Sequence, residues 1–219
     1  VFRIPRLKEG ARLPRFLTEA EYQRLKARVL EETATGTRDD RLDRAIFYVL
    51  AHGGLRLGEL CDLSVSDVDL IRRRLMVREG KGKKDRSVPL SEPSVSALRA
   101  YLDVRGPALT DHLFVFCERM INPDLVRRRL RHYGEDVGVH VSPHRLRHTL
   151  ATRLVNVGMD IVSIRNLLGH EKLSTTMVYA RMHDATVARH FRDAIARLES
   201  SPHHSFITGP ADREVHSCA

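Results

Sequence analysis

The densest group of ionisable side chains in the sequence is His144-Arg145-Leu146-Arg147-His148. Ser142-Pro143, immediately before it, supplies an N-cap and a first-turn proline, so the group opens a helix. His144 and His148 stand four residues apart on one helix face, as zinc ligands do in H-E-x-x-H. Arginines lie between them, the general-base glutamate is absent, and a dication would be repelled. The pattern suits an anion better: His144 and Arg147 are three apart, near a helix N-terminus whose free N–H groups favour negative charge. Alone, an H-x-x-R of this kind reads as a solvated basic face.

Four further features bear on that reading. Arg56 stands in the otherwise apolar, glycine-flanked Gly54-Leu55-Arg56-Leu57-Gly58-Glu59-Leu60, where a guanidinium needs a partner, either Glu59 or an exogenous anion. Lys81 sits in Gly80-Lys81-Gly82, at the tip of an expected hairpin and mobile enough to reach into a groove. His170 follows Leu167-Leu168-Gly169, just past a helix-ending glycine. Tyr179 closes Ser174-Thr175-Thr176-Met177-Val178-Tyr179. Taken singly, Tyr179 reads as a packing tyrosine, His170 as a helix cap and Lys81 as a solvated turn residue.

The elements that must position these residues are mostly helical. Thr18, three residues before Glu21, forms a capping box for a helix to about Glu31. Thr33 to Asp40 reads as a polar connection, and Leu42, Ile46, Val49 and Leu50 mark a second helix that His52-Gly53-Gly54 breaks. A short helix carries Leu57, Leu60 and Leu63. Val68–Leu70, Leu75–Val77 and Ser87–Leu90 are short β-like runs, forming an antiparallel sheet of about three strands. Helices resume from Ser91 to about Arg105, Asn122 to Gly134, Pro143 to about Val157, and Asp160 to Leu168; a short one follows Ser174, and a last runs from about Asp184 to Glu199. The expected class is mainly α with a small antiparallel β-sheet (α+β).

Composition narrows the function classes. In 219 residues, 37 Lys and Arg against 28 Asp and Glu leave a formal charge of +9, and the pI is near 9.9. That favours a polyanionic partner such as nucleic acid. With 42% hydrophobic residues the chain is globular, and no apolar run reaches the roughly 18 residues of a membrane span. Three distant cysteines exclude a disulfide framework and a four-cysteine zinc site, and they suit a reducing cytoplasm. The chain opens at Val1 with no signal peptide and reads as a piece of a longer protein.

In combination and in this order, the segments resemble the tyrosine recombinases, or phage integrase family. The matching motifs are G-L-R-x-x-E-L through Arg56, G-K-G-x-K-x-R-x-V-P-L from Gly80 to Leu90, H-x-L-R-H-x-x-A-T from His144, L-L-G-H ending at His170, and S-T-T-x-x-Y ending at Tyr179. The resemblance covers the chain from Thr18 to about Glu199. It implies an interdomain linker remnant at 1–17, a catalytic domain at 18–199, and a separate core-binding domain upstream. Residues 200–219 read as a disordered tail.

The resemblance also implies a reaction. Tyr179 attacks a DNA phosphodiester, leaving a 3′-phosphotyrosyl bond and a free 5′-hydroxyl that a second strand can reverse. Bond number is conserved, so no nucleotide cofactor is needed, and no metal is implied. Free tyrosine titrates near pH ~10, so deprotonating it near neutrality costs roughly 4 kcal/mol. His144 is the implied proton acceptor. Arg56 and Arg147 clamp the non-bridging oxygens, Lys81 protonates the leaving 5′-oxygen with Lys83 and Lys84 as rivals, and His170 hydrogen-bonds the phosphate. Glu59 is expected to orient Arg56, and His148 to be structural. Among Arg127, Arg128, Arg129 and Arg131, some contact phosphates or the group is simply solvated.

The implied partner is double-stranded DNA, with self-association on it into a tetrameric synapse and no membrane. Val187, Phe191, Ala194, Ile195 and Leu198 form an apolar stripe on the last helix that packs in cis or docks on a neighbouring subunit. The expected location is the bacterial cytoplasm or nucleoid. The alternatives are a type IB topoisomerase, which shares the residue set, and a catalytically silent DNA-binding accessory protein, which would lack a nucleophile or clamp arginine.

Overall fold

Residues 45–51 are buried without interruption, so the later part of the helix containing them, α2 (Arg38–Gly53), is surrounded on every side. The helices α1 (Glu19–Glu32), α4 (Glu92–Arg105) and α6 (Pro143–Asn156) pack against it. A short α3 (Leu57–Asp62) follows α2, and α5 (Pro123–Glu135) and α7 (Ile161–Leu168) complete the described helices. The computed structural model describes residues 16–78 and 85–169, all within the unit Val1–Met182. The helices expected after Ser174 and from Asp184, and the tail after Ser200, lie outside the described residues. Among the described residues no helix is long and apolar enough to cross a membrane.

Local chemistry sets the helix boundaries. Thr18 and Glu21 form the expected capping box, and Asn122, Ser142 and Asp160 each cap the helix that follows. The expected polar connection from Thr33 to Asp40 is shorter in the structure. A 3₁₀ turn occupies Thr33–Thr35, and α2 already begins at Arg38 under a second capping box, Thr37 with Asp40. Asp39 and Asp40 belong to that first turn, where acidic side chains oppose the positive end of the helix.

The three-stranded sheet is antiparallel in the order β1 (Val68–Asp69), β2 (Arg74–Val77), β3 (Arg86–Pro89). Leu75 pairs with Val88 and Val77 with Arg86, which puts buried Leu75, Val77 and Val88 against the core. A second ladder, β4 (Val115–Phe116) with β5 (Arg119–Met120), was not expected from sequence. Its turn uses Cys117 and Glu118 at positive φ, where glycine or asparagine would have signalled it.

Packing demands the glycine that caps α2. Gly54 ends α2 in the left-handed region, φ 62°, and a Cβ there would lie 2.6 Å from Leu168 Cδ2 and 2.9 Å from Leu150 Cδ2. Leu150, Ala151, Ile164 and Leu168 form a small buried cluster joining α6 to α7. The close approach at Gly54 brings the chain leading to Arg56 onto that cluster.

Candidate active site

Arg56 is the N-cap of α3, in extended conformation, directly after the Gly54 turn. Its amide donates to Glu59 Oε2 at 2.7 Å, so the helix start fixes its backbone. Its guanidinium, 42% exposed, pairs with Glu59 Oε1 at 2.5 Å and donates to the Gly169 carbonyl at 2.7 Å. Glu59 also receives Arg86, whose Nη2 and Nη1 lie 2.6 Å and 3.1 Å from its two oxygens. Burial pushes the Glu59 carboxyl up, but the bonds from Arg86 and from the Arg56 amide outweigh it and hold it at about 2. Glu59 therefore stays ionised.

Helix α6 presents the second half of the site. Arg147 is buried, 4% exposed, and its Nη1 donates to the Gly54 carbonyl while Nη2 donates to the Leu168 carbonyl. His144, in the first turn, is only partly covered, and its Nε2 lies 2.7 Å from Nε2 of His148. Burial, then the Arg147 charge, lowers the pKa of His144; burial, His144 and Arg147 take that of His148 to about 4. Both imidazoles are therefore neutral near pH 7, and His144 is able to accept a proton.

These residues converge. A cleft of about 370 Å³ is lined by Arg56, Arg127, His144 and Arg147, with Ser142, Pro143, Leu55 and Leu57. Three guanidiniums and a helix N-terminus around one opening make a site for an anion with several oxygens. Arg127 comes from α5 and pairs with Asp124. Of the arginine cluster on that helix, Arg129 is not available to such an anion: it bridges Asp39 and buried Asp43, each at 2.8 Å. Tyr133 donates to the same Asp43 at 2.6 Å.

The structure thus brings Arg56, His144 and Arg147 to one opening. Lys81, His170 and Tyr179 lie outside the described residues, although Lys81 falls in the connection between the paired strands β2 and β3, and His170 directly follows Gly169. Sequence reasoning passed over Arg86 as more than a motif position. Its signal was there, as the arginine of G-K-G-x-K-x-R, but its partners are distant in sequence.

A model of the phage integrase family matches residues 15–186. The chain belongs to that family. Among relatives, the tyrosine recombinase XerA of Pyrococcus furiosus is 38% identical over 189 residues, covering 84% of this chain and 62% of that protein. XerA of Thermococcus kodakarensis is 41% identical over 174 residues, covering 78% and 59%. The chain therefore spans about three fifths of the length of the curated relatives it matches. A crystal structure of XerA recombinase superposes with a TM-score of 0.69 at 35% identity, covering 88% of this chain and 68% of that one. That of the XerH site-specific recombinase bound to palindromic difH substrate gives 0.73 at 20% identity, covering 89% and 56%, and shows the shared fold. Within the phage integrase family, the mainly helical domain with small antiparallel sheets is the tyrosine recombinase catalytic-domain fold.

Proposed function

We propose that residues 18–199 are the catalytic domain of a site-specific DNA recombinase, with 1–17 as the linker from a core-binding domain. The observation that carries this reading is the convergence of Arg56, Arg147 and His144 on one anion-sized cleft. Tyr179 Oη attacks phosphorus, its proton passes to His144, and the P–O5′ bond breaks as Lys81 protonates the leaving oxygen. Arg56 and Arg147 stabilise the charge that accumulates on the non-bridging oxygens, at about 2–4 kcal/mol each, and His170 hydrogen-bonds the phosphate. Attack by another strand's 5′-hydroxyl returns every bond and proton. No step needs a metal or a nucleotide.

The substrate is double-stranded DNA, met in the cytoplasm or nucleoid, and four protomers assemble on two sites, with the apolar stripe of the last helix docking on a neighbour. The membership of the family and the naming of its relatives as tyrosine recombinases support strand exchange over plain relaxation. The test is covalent capture on a nicked duplex carrying a site selected from random sequence by the full-length protein. The wild type should form a denaturation-resistant protein–DNA adduct in excess EDTA. Tyr179→Phe should form none while binding DNA as before. An adduct with Tyr179→Phe, or none with the wild type, overturns the assignment.

A further inference from the structure

The C-terminal end of α7 is held in an unusual way. A helix leaves its last carbonyls without intrahelical partners, and they carry the negative end of the helix dipole. Here three consecutive carbonyls accept from three different arginines: Leu167 from Arg86 Nε at 3.0 Å, Leu168 from Arg147 Nη2, and Gly169 from Arg56 Nη2 at 2.7 Å. The three come from β3, α6 and the start of α3. Two of them, Arg56 and Arg147, also line the anion cleft, whereas Arg86 is not among its lining residues and its side chain is 9% exposed.

Arg86 divides its fork between two structures. Nε holds α7 through Leu167, and the two Nη groups hold Glu59, the carboxylate that also orients Arg56. It is also the first residue of β3, paired with Val77, and so closes the connection that contains Lys81. We propose that Arg86 is a positioning residue of the reaction centre, clasping the end of α7 to Glu59 and so fixing Arg56. This rests on the strand-transfer reading above. Arginine is required because only a planar fork reaches a carbonyl and both carboxylate oxygens at once; a lysine offers one nitrogen.

A purely stabilising ion pair would look the same in a static structure, so the test separates holding from folding. Full-chain wild type, Arg86→Ala and Arg86→Lys are compared by hydrogen exchange without DNA and by single-turnover adduct formation on the nicked duplex. Arg86→Lys keeps a charge beside Glu59 and covers the case in which Arg86→Ala does not fold. Exchange across 161–169 should rise about tenfold in the variants while that of α2 stays unchanged. The adduct rate constant should fall by about 10²-fold at undiminished amplitude. Combining Arg86→Ala with Arg56→Ala should be little slower than Arg56→Ala alone, because both act through the same guanidinium.

Unchanged exchange in 161–169 overturns the clasp whether or not the enzyme is active. A loss confined to amplitude, tracking a lower melting temperature, makes the pair a folding element and overturns the positioning role. Effects of Arg86→Ala and Arg56→Ala that multiply do the same. Absence of an adduct with the wild type instead strikes the strand-transfer reading, and the exchange result still judges the clasp.

Discussion

Arg145 Nη2 donates to the Phe16 carbonyl at 3.1 Å, across 129 residues of sequence. The helix that aims His144 and Arg147 at the cleft therefore also seats the segment by which the chain enters the fold. The seat is extended along α6 at helical spacing. Leu17, buried, donates to Thr149 Oγ1 at 2.8 Å, and Arg153 pairs with Glu19 at 3.0 Å and stacks 4.1 Å over the Tyr22 ring. Arg145, Thr149 and Arg153 fall four apart, on a face adjoining that of His144 and His148.

Thr149→Val should expose the cost of this seat. The substitution keeps shape but leaves the buried Leu17 amide without its acceptor, at about 1–3 kcal/mol. Urea unfolding should show a lower midpoint with an unchanged slope, and Thr149→Ser should restore it. A midpoint equal to the wild type would mean that the Thr149 bond adds nothing to the seat.

What could be read from the sequence, and what could not, divides by distance along the chain. Caps at Thr18, Asn122, Ser142 and Asp160 involve neighbours within three residues, so residue types alone located those helix starts. The spacing of His144 and Arg147 suited an anion, but taken alone it read as a solvated basic face. The partners of Arg56 and Arg147 were only half legible: Glu59, three residues on, was named, whereas the carbonyls of Gly54, Leu168 and Gly169 lie 93, 21 and 113 residues from their arginines. Backbone carbonyls carry no residue signature, and Arg86 is joined to Leu167 by nothing periodic. The exposed, basic look of Arg129 was misleading for the same reason, since Asp43 belongs to α2.

A partly buried histidine makes stability depend on pH. His52 sits between Tyr22 Oη at 3.0 Å and Ser91 Oγ at 2.7 Å, with Arg153 and Lys26 acting on it; burial first, then those charges, lowers it to about 4. Its folded pKa lies below its unfolded one, so the unfolded chain binds more protons between pH 6.5 and about 4. Stability is full above 6.5 and lost as pH falls through that window, by roughly 3 kcal/mol for this group. His148 adds a similar loss over the same range. His52→Gln, which can hydrogen-bond both partners and cannot titrate, should flatten the fall in denaturant titrations at successive pH values. An unaltered slope would assign the pH dependence elsewhere.

The neutrality of His144 has a separable electrostatic cause. Burial lowers its pKa first and the Arg147 charge lowers it further, because an imidazolium beside a guanidinium is disfavoured. Arg147→Met removes the charge while keeping most of the volume, so the His144 pKa should rise toward its ordinary value. Arg147→Lys keeps a cation there, and His144 should titrate at lower pH than in Arg147→Met. Nitrogen-15 NMR titration of the ring reads both without requiring activity. If the two variants titrate together, burial alone sets His144, and the acid limb of DNA cleavage should not follow the charge at position 147. If they separate as expected, that limb should be held at low pH by the same arginine that we propose grips the phosphate, which keeps His144 ready to accept a proton.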